Sequence, residues 1–287
     1  MIASVLFLLA VQTPSQVLVS SYFGGYVGRF RSVDGVYIGN LDRNAPVEGA
    51  LAFCIGPDGK LYLASEKTNS ILKYDLQTGN YLGVFIRPGN GLDGPTTICF
   101  CPDKNAYVAS FGSNSILEYN AKSGAFIKAF VTPGAGGLKG PDVGTTFGPD
   151  GNLYVPSFYT DCVLRYNGRT GAFMGAFIPA KSGGLTQPRM ILWRPNGLVY
   201  VTSDDGNKVL RYRSKDGTFV DEFIKAGAGG LKGVSAMTFD DAGDIYLAGW
   251  RNSKVVKFSG KTGAVLGEFV PSYRGLLRGP TFAMWVH

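Results

Sequence analysis

Gly56-Pro57-Asp58-Gly59-Lys60-Leu61-Tyr62-Leu63-Ala64-Ser65 is the stretch from which the rest of the chain can be read, because the sequence repeats it. Variants of the same ten residues occupy 101–110, 148–157, 194–203 and 240–249. Their tyrosines are Tyr62, Tyr107, Tyr154, Tyr200 and Tyr246, and Leu18 takes the same place in Gln16–Ser21, giving steps of 44, 45, 47, 46 and 46 residues. Two further landmarks hold that period: Phe30, Tyr74, Tyr119, Tyr166, Tyr212 and Phe258, then Phe85, Phe130, Phe177, Phe223 and Phe269. A fixed period of this length marks a repeat architecture and has to be settled before any local reading.

Each copy divides into four short strands. An apolar run such as Thr96–Phe100 comes first, and a Pro-Asp-Gly turn leads to a second strand such as Asn152–Pro156. A polar loop leads to a third, as in Ile71–Tyr74, and turns such as Thr78-Gly79 or Thr170-Gly171 lead to a fourth. Gly and Asn/Asp at those turns supply the positive φ that tight reversals need. Short strands at even spacing, with no helical period, predict antiparallel sheet. One such sheet cannot bury both faces, so the copies must stack, and radial stacking gives an all-β, six-bladed β-propeller of four-stranded blades. The first copy, beginning at Gln16, lacks an innermost strand. Gly279–Trp285 resembles Gly94–Phe100 and is expected to supply it, closing the ring in blade 1. A closed ring leaves no blade with an open inner edge.

The domain is thus expected to span residues 16–287, preceded by residues 1–15 as a signal peptide or N-terminal tail. Ile2–Val11 is a ten-residue apolar run, short for a bilayer span and similar to the core of an export signal. No Lys or Arg precedes Arg29 and no clean cleavage box follows, so an extra strand is the other reading. Export outside the cytoplasm, with no transmembrane segment in the mature chain, is the expectation.

Composition limits the chemistry. His287 is the single histidine of the 287 residues, so neither a multi-histidine zinc site nor an internal Ser-His-Asp triad can be built. Cys54, Cys99, Cys101 and Cys162 have no CxxC spacing; they can form two disulfides in an exported protein or stay as buried thiols. Strings such as Pro133–Leu138 and Ala226–Leu231 look like phosphate loops, but a strand rather than a helix follows each. No catalytic residue, metal or cofactor is expected.

Charge and aromatics point instead to binding. The chain carries Lys+Arg 28 against Asp+Glu 21, a formal +7. The connections between blades hold nine basic residues (Arg43, Arg87, Lys139, Lys181, Arg189, Lys225, Lys232, Arg274, Arg278) against Asp42, Glu48, Asp93 and Asp142, so +5 of that excess falls on one face. Such a face attracts anions. Immediately after the second strands the register places Tyr22, Glu66, Phe111, Phe158, Asp204 and Trp250 around the channel mouth. Arg189 stands at the start of an inner strand where its counterparts are Leu51, Thr96, Val143, Ser235 and Thr281; it can anchor an anion or carboxylate, or equally pair with Glu48 or Asp142 on the same rim. With Lys232 these residues are the ligand-binding candidates. The partner expected is a protein, or an anionic small molecule or saccharide.

The recurring Pro-Asp-Gly, Leu-Tyr-Val, Arg-Tyr, Thr-Gly and Gly-Gly-Leu-x-Gly-Pro elements, running from Gln16 to Trp285, resemble the NHL-repeat proteins and related six-bladed propellers. The resemblance implies the fold; on function it implies little, because propellers host lyases, lactonases and plain scaffolds. The histidine of the streptogramin-lyase branch has no counterpart here. Glu48-Gly49-Ala50 is faintly similar to the start of the regucalcin-like lactonases, but inner-strand positions Thr97, Thr145, Met190 and Ala236 hold no acid or asparagine ligand. The leading expectation is a non-catalytic scaffold that binds through its basic, aromatic-rimmed face. A lyase or hydrolase using Glu66, Asp204, Glu48 and Arg189 is the alternative. Single-stranded RNA binding is a further one if the chain is not exported.

Overall fold

Six four-stranded antiparallel sheets form the molecule, and the computed structural model describes residues 15–101, 105–272 and 276–286. The apolar run Ile2–Val11, Arg274 and His287 lie outside the described residues. Blade 2 shows the plan: Ala50–Ile55, Leu61–Ser65, Ser70–Tyr74 and Tyr81–Ile86, from the channel outwards. Its second strand is buried along its whole length, whereas its outermost strand is mostly half-exposed. The six-bladed propeller read from the repeat is the fold observed. Pro280–Val286 pairs antiparallel with Gln16–Ser21, Leu18 opposite Met284 and Val17 opposite Trp285, so the C-terminal strand is the inner strand of blade 1.

The repeated tyrosine explains why the period is so strictly kept. Tyr62 lies edge-on to Phe85 of its own blade at 4.8 Å and to Phe100 of the next at 5.0 Å. Tyr107 repeats this with Phe130 and Phe147, Tyr154 with Phe177 and Trp193, and Tyr200 with Phe223 and Phe239, while Tyr246 is edge-on to Phe269 and tilted by 44° to Trp285. Edge-to-face rings add about 0.5–1.5 kcal/mol per pair beyond the area they bury. Each trio fills one wedge between blades.

A second device locks five of the six blades to the connection that follows. Asn69, Asn114, Asp161, Asn207 and Ser253 all have positive φ, between 50° and 54°. Their side-chain oxygens accept the backbone N–H of Gly94, Gly140, Gln187, Gly233 and Gly279 at 2.7–3.1 Å. Asn and Asp tolerate the left-handed region better than other non-glycine residues, which suits four of the five positions.

Candidate functional site

The loops after the second strands lie in equivalent places. The backbone N–H groups of Tyr22, Glu66, Phe111, Phe158, Asp204 and Trp250 bond to the carbonyls of Gly279, Gly49, Gly94, Gly140, Gln187 and Gly233 at 2.9–3.1 Å. Six side chains are therefore presented at one end of the channel, one from each blade. A cavity of about 290 Å³ opens there, lined by Tyr22, Phe23, Leu51, Glu66, Thr96, Phe111, Asp142, Arg189, Trp250 and Thr281. All six blades contribute to it.

Five of the eight sequence candidates (Tyr22, Glu66, Phe111, Arg189 and Trp250) line this cavity. Phe158 and Asp204 act from behind it, through Arg189. The Arg189 guanidinium lies between the rings of Phe158 and Trp250, 5.4 and 5.6 Å from their centroids. Its Nε donates to Asp142 Oδ2 at 2.9 Å and is 3.5 Å from Asp204 Oδ2. Asp204 also accepts from Trp250 Nε1 at 2.8 Å and pairs with Arg251 Nη2 at 2.8 Å. Lys232 is exposed and does not line the cavity. Its backbone N–H is tied to Asn252, which leaves the side chain on the outer rim.

Electrostatically the cavity differs from the face around it. The exposed bases Arg43, Arg87, Lys139, Lys181, Lys225, Lys232 and Arg278 sit on the connections, while the charged groups lining the cavity are Glu66 and Asp142 against Arg189. Burial works against the charge on Arg189, but Asp142 and Asp204 outweigh it and hold its pKa above the ordinary value. Burial raises the pKa of Asp204, opposed by Arg189, Arg251 and the Trp250 N–H. Tyr22 is also raised, by burial and by donating its hydroxyl hydrogen to Glu66.

Sequence reasoning passed over the origin of Asp142. Pro141 precedes Tyr154 by thirteen positions, whereas Pro95 precedes Tyr107 by twelve. The extra residue cuts the inner strand of blade 4 to Thr146–Phe147 and leaves Asp142 fully buried beneath the mouth. Asp142 Oδ1 accepts the N–H of Val143 at 2.7 Å, and Gly144 donates to the Arg189 carbonyl at 2.7 Å. The step of 47 in the repeat was the available signal. Phe23, a contributor the sequence reading did not name, simply follows Tyr22 and packs edge-on to it at 5.0 Å.

All four cysteines are thiols. Burial pushes Cys99 up to about 12 and Cys54 well above the usual thiol range, so neither is a ready nucleophile. Among the described residues no group of three or more His, Cys, Asp or Glu is placed to hold a metal ion. Among them, too, no helix is long and apolar enough to cross a membrane.

No protein-family model matches the sequence, and no curated protein matches it. Solved structures do. A chain of a nidogen/laminin complex superimposes with a TM-score of 0.76 at 13% identity, covering 95% of this chain and 98% of that one. A Bacteroides caccae protein of unknown function gives 0.71 at 16%, covering 96% and 100%. Virginiamycin B lyase from Staphylococcus aureus gives 0.62 at 17%, covering 88% and 80%. A streptogramin B lyase structure gives 0.63 at 14%, covering 90% and 80%. At these identities the likeness establishes the fold.

Proposed function

We propose that the protein is a binding propeller. Its mouth accepts a compact group of a ligand or partner, and the exposed bases around the mouth attract that partner's negative charge. The observation that carries this reading is the immobilised Arg189. Two carboxylates and two aromatic rings hold it at the floor of a cavity to which every blade contributes. A side chain already fixed loses little entropy when a ligand arrives, which is the advantage of preorganisation. Rings beside it offer desolvated contact area, the usual source of binding hot spots. The export expected from Ile2–Val11 belongs to the same reading. The similar propeller in a nidogen/laminin complex supports a scaffold role by analogy, while the similar lyases show that the fold alone does not choose.

Heparin serves as a polyanion probe of the rim. Replacing Lys139, Lys181 and Lys232 together by Gln should lower the salt concentration at which the chain elutes from a heparin column. The same change at Lys60, Lys122 and Lys261, on strand-connecting turns of the opposite face, should leave it nearly unchanged. Screening makes exposed charges act locally, over ~8 Å at physiological ionic strength. Equal elution of the two triple variants would dispose of a directed basic face. Arg189→Ala is unsuitable as a probe, because it strands Asp142 as a buried charge without its ion-pair partner, at about 3–5 kcal/mol.

A further inference from the structure

The hydrogen-bond inventory of the mouth is lopsided. The Tyr22 hydroxyl hydrogen goes to Glu66 and that of Thr96 to the Pro141 carbonyl at 2.9 Å. The Thr281 hydrogen goes to the Ala50 carbonyl at 2.8 Å and the Trp250 N–H to Asp204. The donors of the lining are thus committed to the protein, and what the half-buried Tyr22 and Glu66 can still offer is lone pairs, while Thr96, Thr281 and Asp142 are buried. Arg189 is the exception: its Nη1 is buried without a hydrogen-bond partner, and its side chain keeps 12% of its surface exposed in a cavity that it lines. An unsatisfied buried N–H of a cation is costly, so an acceptor at that point is favoured.

A ligand that fits must bring several donors, at least one acceptor and an apolar face for Trp250 and Phe111. A bare anion has only acceptors and would meet the lone pairs of Glu66 and Tyr22. A quaternary ammonium has neither donor nor acceptor and would meet Arg189. A ring polyol meets every requirement: hydroxyls donate to the Glu66 carboxylate and accept from an arginine, while ring C–H groups lie against an aromatic face. The cavity, about 290 Å³, is at the lower end of the ~300–1,000 Å³ found for ligand sites and suits one ring. Resting on the reading of the mouth as a binding site, we propose that the group it accepts is a neutral saccharide residue, with Glu66 and the Tyr22 oxygen receiving its hydroxyls, Arg189 donating to it and Trp250 stacking on it. Any negative charge of the partner then stays outside, with the basic rim.

The full chain is titrated with the methyl glycosides of glucose, galactose, mannose, fucose and N-acetylglucosamine, with benzoate and tetramethylammonium as anionic and cationic probes. Binding is read by saturation-transfer NMR. At least one glycoside should bind, with an affinity nearly independent of salt. Trp250→Ala and Glu66→Gln should each weaken it about tenfold or more, the scale of losing one stacking or charge-assisted contact. Glu66→Gln keeps the shape of the side chain, so its effect is not one of misfolding. Benzoate or tetramethylammonium binding in a Trp250-dependent way, with no glycoside bound, overturns the saccharide and leaves the mouth as a site. Silence from every probe, or glycoside binding indifferent to Trp250, also overturns the inference; the heparin comparison still judges the rim separately.

Discussion

The seam between blades 1 and 2 and the other five seams solve the same problem with different parts. At five seams a tyrosine stands between two aromatic rings. At the first, Leu18 replaces the tyrosine, Leu41 stands in for the phenylalanine and Ile55 for the next blade's aromatic. Five blades clamp the following connection with an oxygen-bearing side chain, where blade 1 has Gly25. One tie is kept: Thr96, Ser235 and Thr281 donate to carbonyls of the next blade at 2.8–3.0 Å, and the Thr281 bond to Ala50 crosses this first seam. Where rings are missing the wedge stays open: a cavity of about 500 Å³ lies there, lined by Leu18, Arg29, Asp58, Lys60, Asp75 and neighbours. Arg29 has no aromatic trio to cover and reaches Gln16 and the Gln77 carbonyl instead. The comparison teaches that a repeat protein tolerates one under-filled seam when the neighbouring blade is also where the ring is zipped shut.

That lesson can be broken most directly at the zip. Deleting residues 280–287 removes the inner strand of blade 1, and soluble, cooperatively unfolding protein should be lost. A truncated chain that melts at the parent temperature would refute the dependence on closure.

The glycine turns give the next largest contrast. A Cβ at Gly171 would lie 1.9 Å from the Phe130 carbonyl oxygen, with φ at +73°. At Gly79, by the first seam, the nearest atoms are 3.4 Å away. Gly171→Ala should therefore cost about 3 kcal/mol from overpacking and strain, and Gly79→Ala about 1 kcal/mol from positive φ alone. Urea unfolding midpoints of the two variants check the order; reversal would mean the first seam is as tight as the rest.

Asn207→Ala removes a clamp and should cost about 1–2 kcal/mol, because the Gly233 N–H loses its acceptor. The converse change should not help. Gly25→Asn brings a Cβ to 2.8 Å from the Val47 carbonyl, so it should destabilise despite restoring the repeat pattern. A gain in melting temperature would show that the first seam merely lacks a clamp.

The smallest effect is electrostatic. Arg211 covers Phe223, 4.2 Å from the ring centroid, and its hydrogen bonds hold Asp221 below the usual carboxylate range. A lowered folded pKa means this contribution is present above the unfolded value near 4 and is lost as pH falls through the folded one. Since Asp221 is 43% exposed, it should be worth under about 1 kcal/mol. Asp221→Asn should flatten the acid limb of stability against pH slightly; an unchanged limb would remove the pair from the account.

Much of this was legible from the chain. The Tyr62 and Phe85 landmarks predicted the blades, and the likeness of Gly279–Trp285 to Gly94–Phe100 predicted closure. Strand limits shifted by a residue or so, as between the expected Ile71–Tyr74 and the observed Ser70–Tyr74. The equivalent mouth positions followed from register, because a conserved loop length sends Tyr22 and Trp250 to matching places. Two features escaped: the αL clamps, which read only as polar loops, and the weakness of the first seam, although Leu18 was visibly out of pattern.

Sequence alone determined the architecture, since a period of some 46 residues, turn glycines and buried alternation leave one way to hide both faces of six sheets. It also determined which residue types reach the mouth. Tertiary structure decided their electrical meaning. Arg189 read either as an anion anchor or as a partner of Glu48 or Asp142 on the rim; the fold selects Asp142, delivered by one extra residue in blade 4, and adds Asp204, brought from its own blade's second loop. Those partners are 47 and 15 positions away in the chain, and no local pattern links them. Charges in a closed ring meet across blades, and only the folded distances show which of them are already spent.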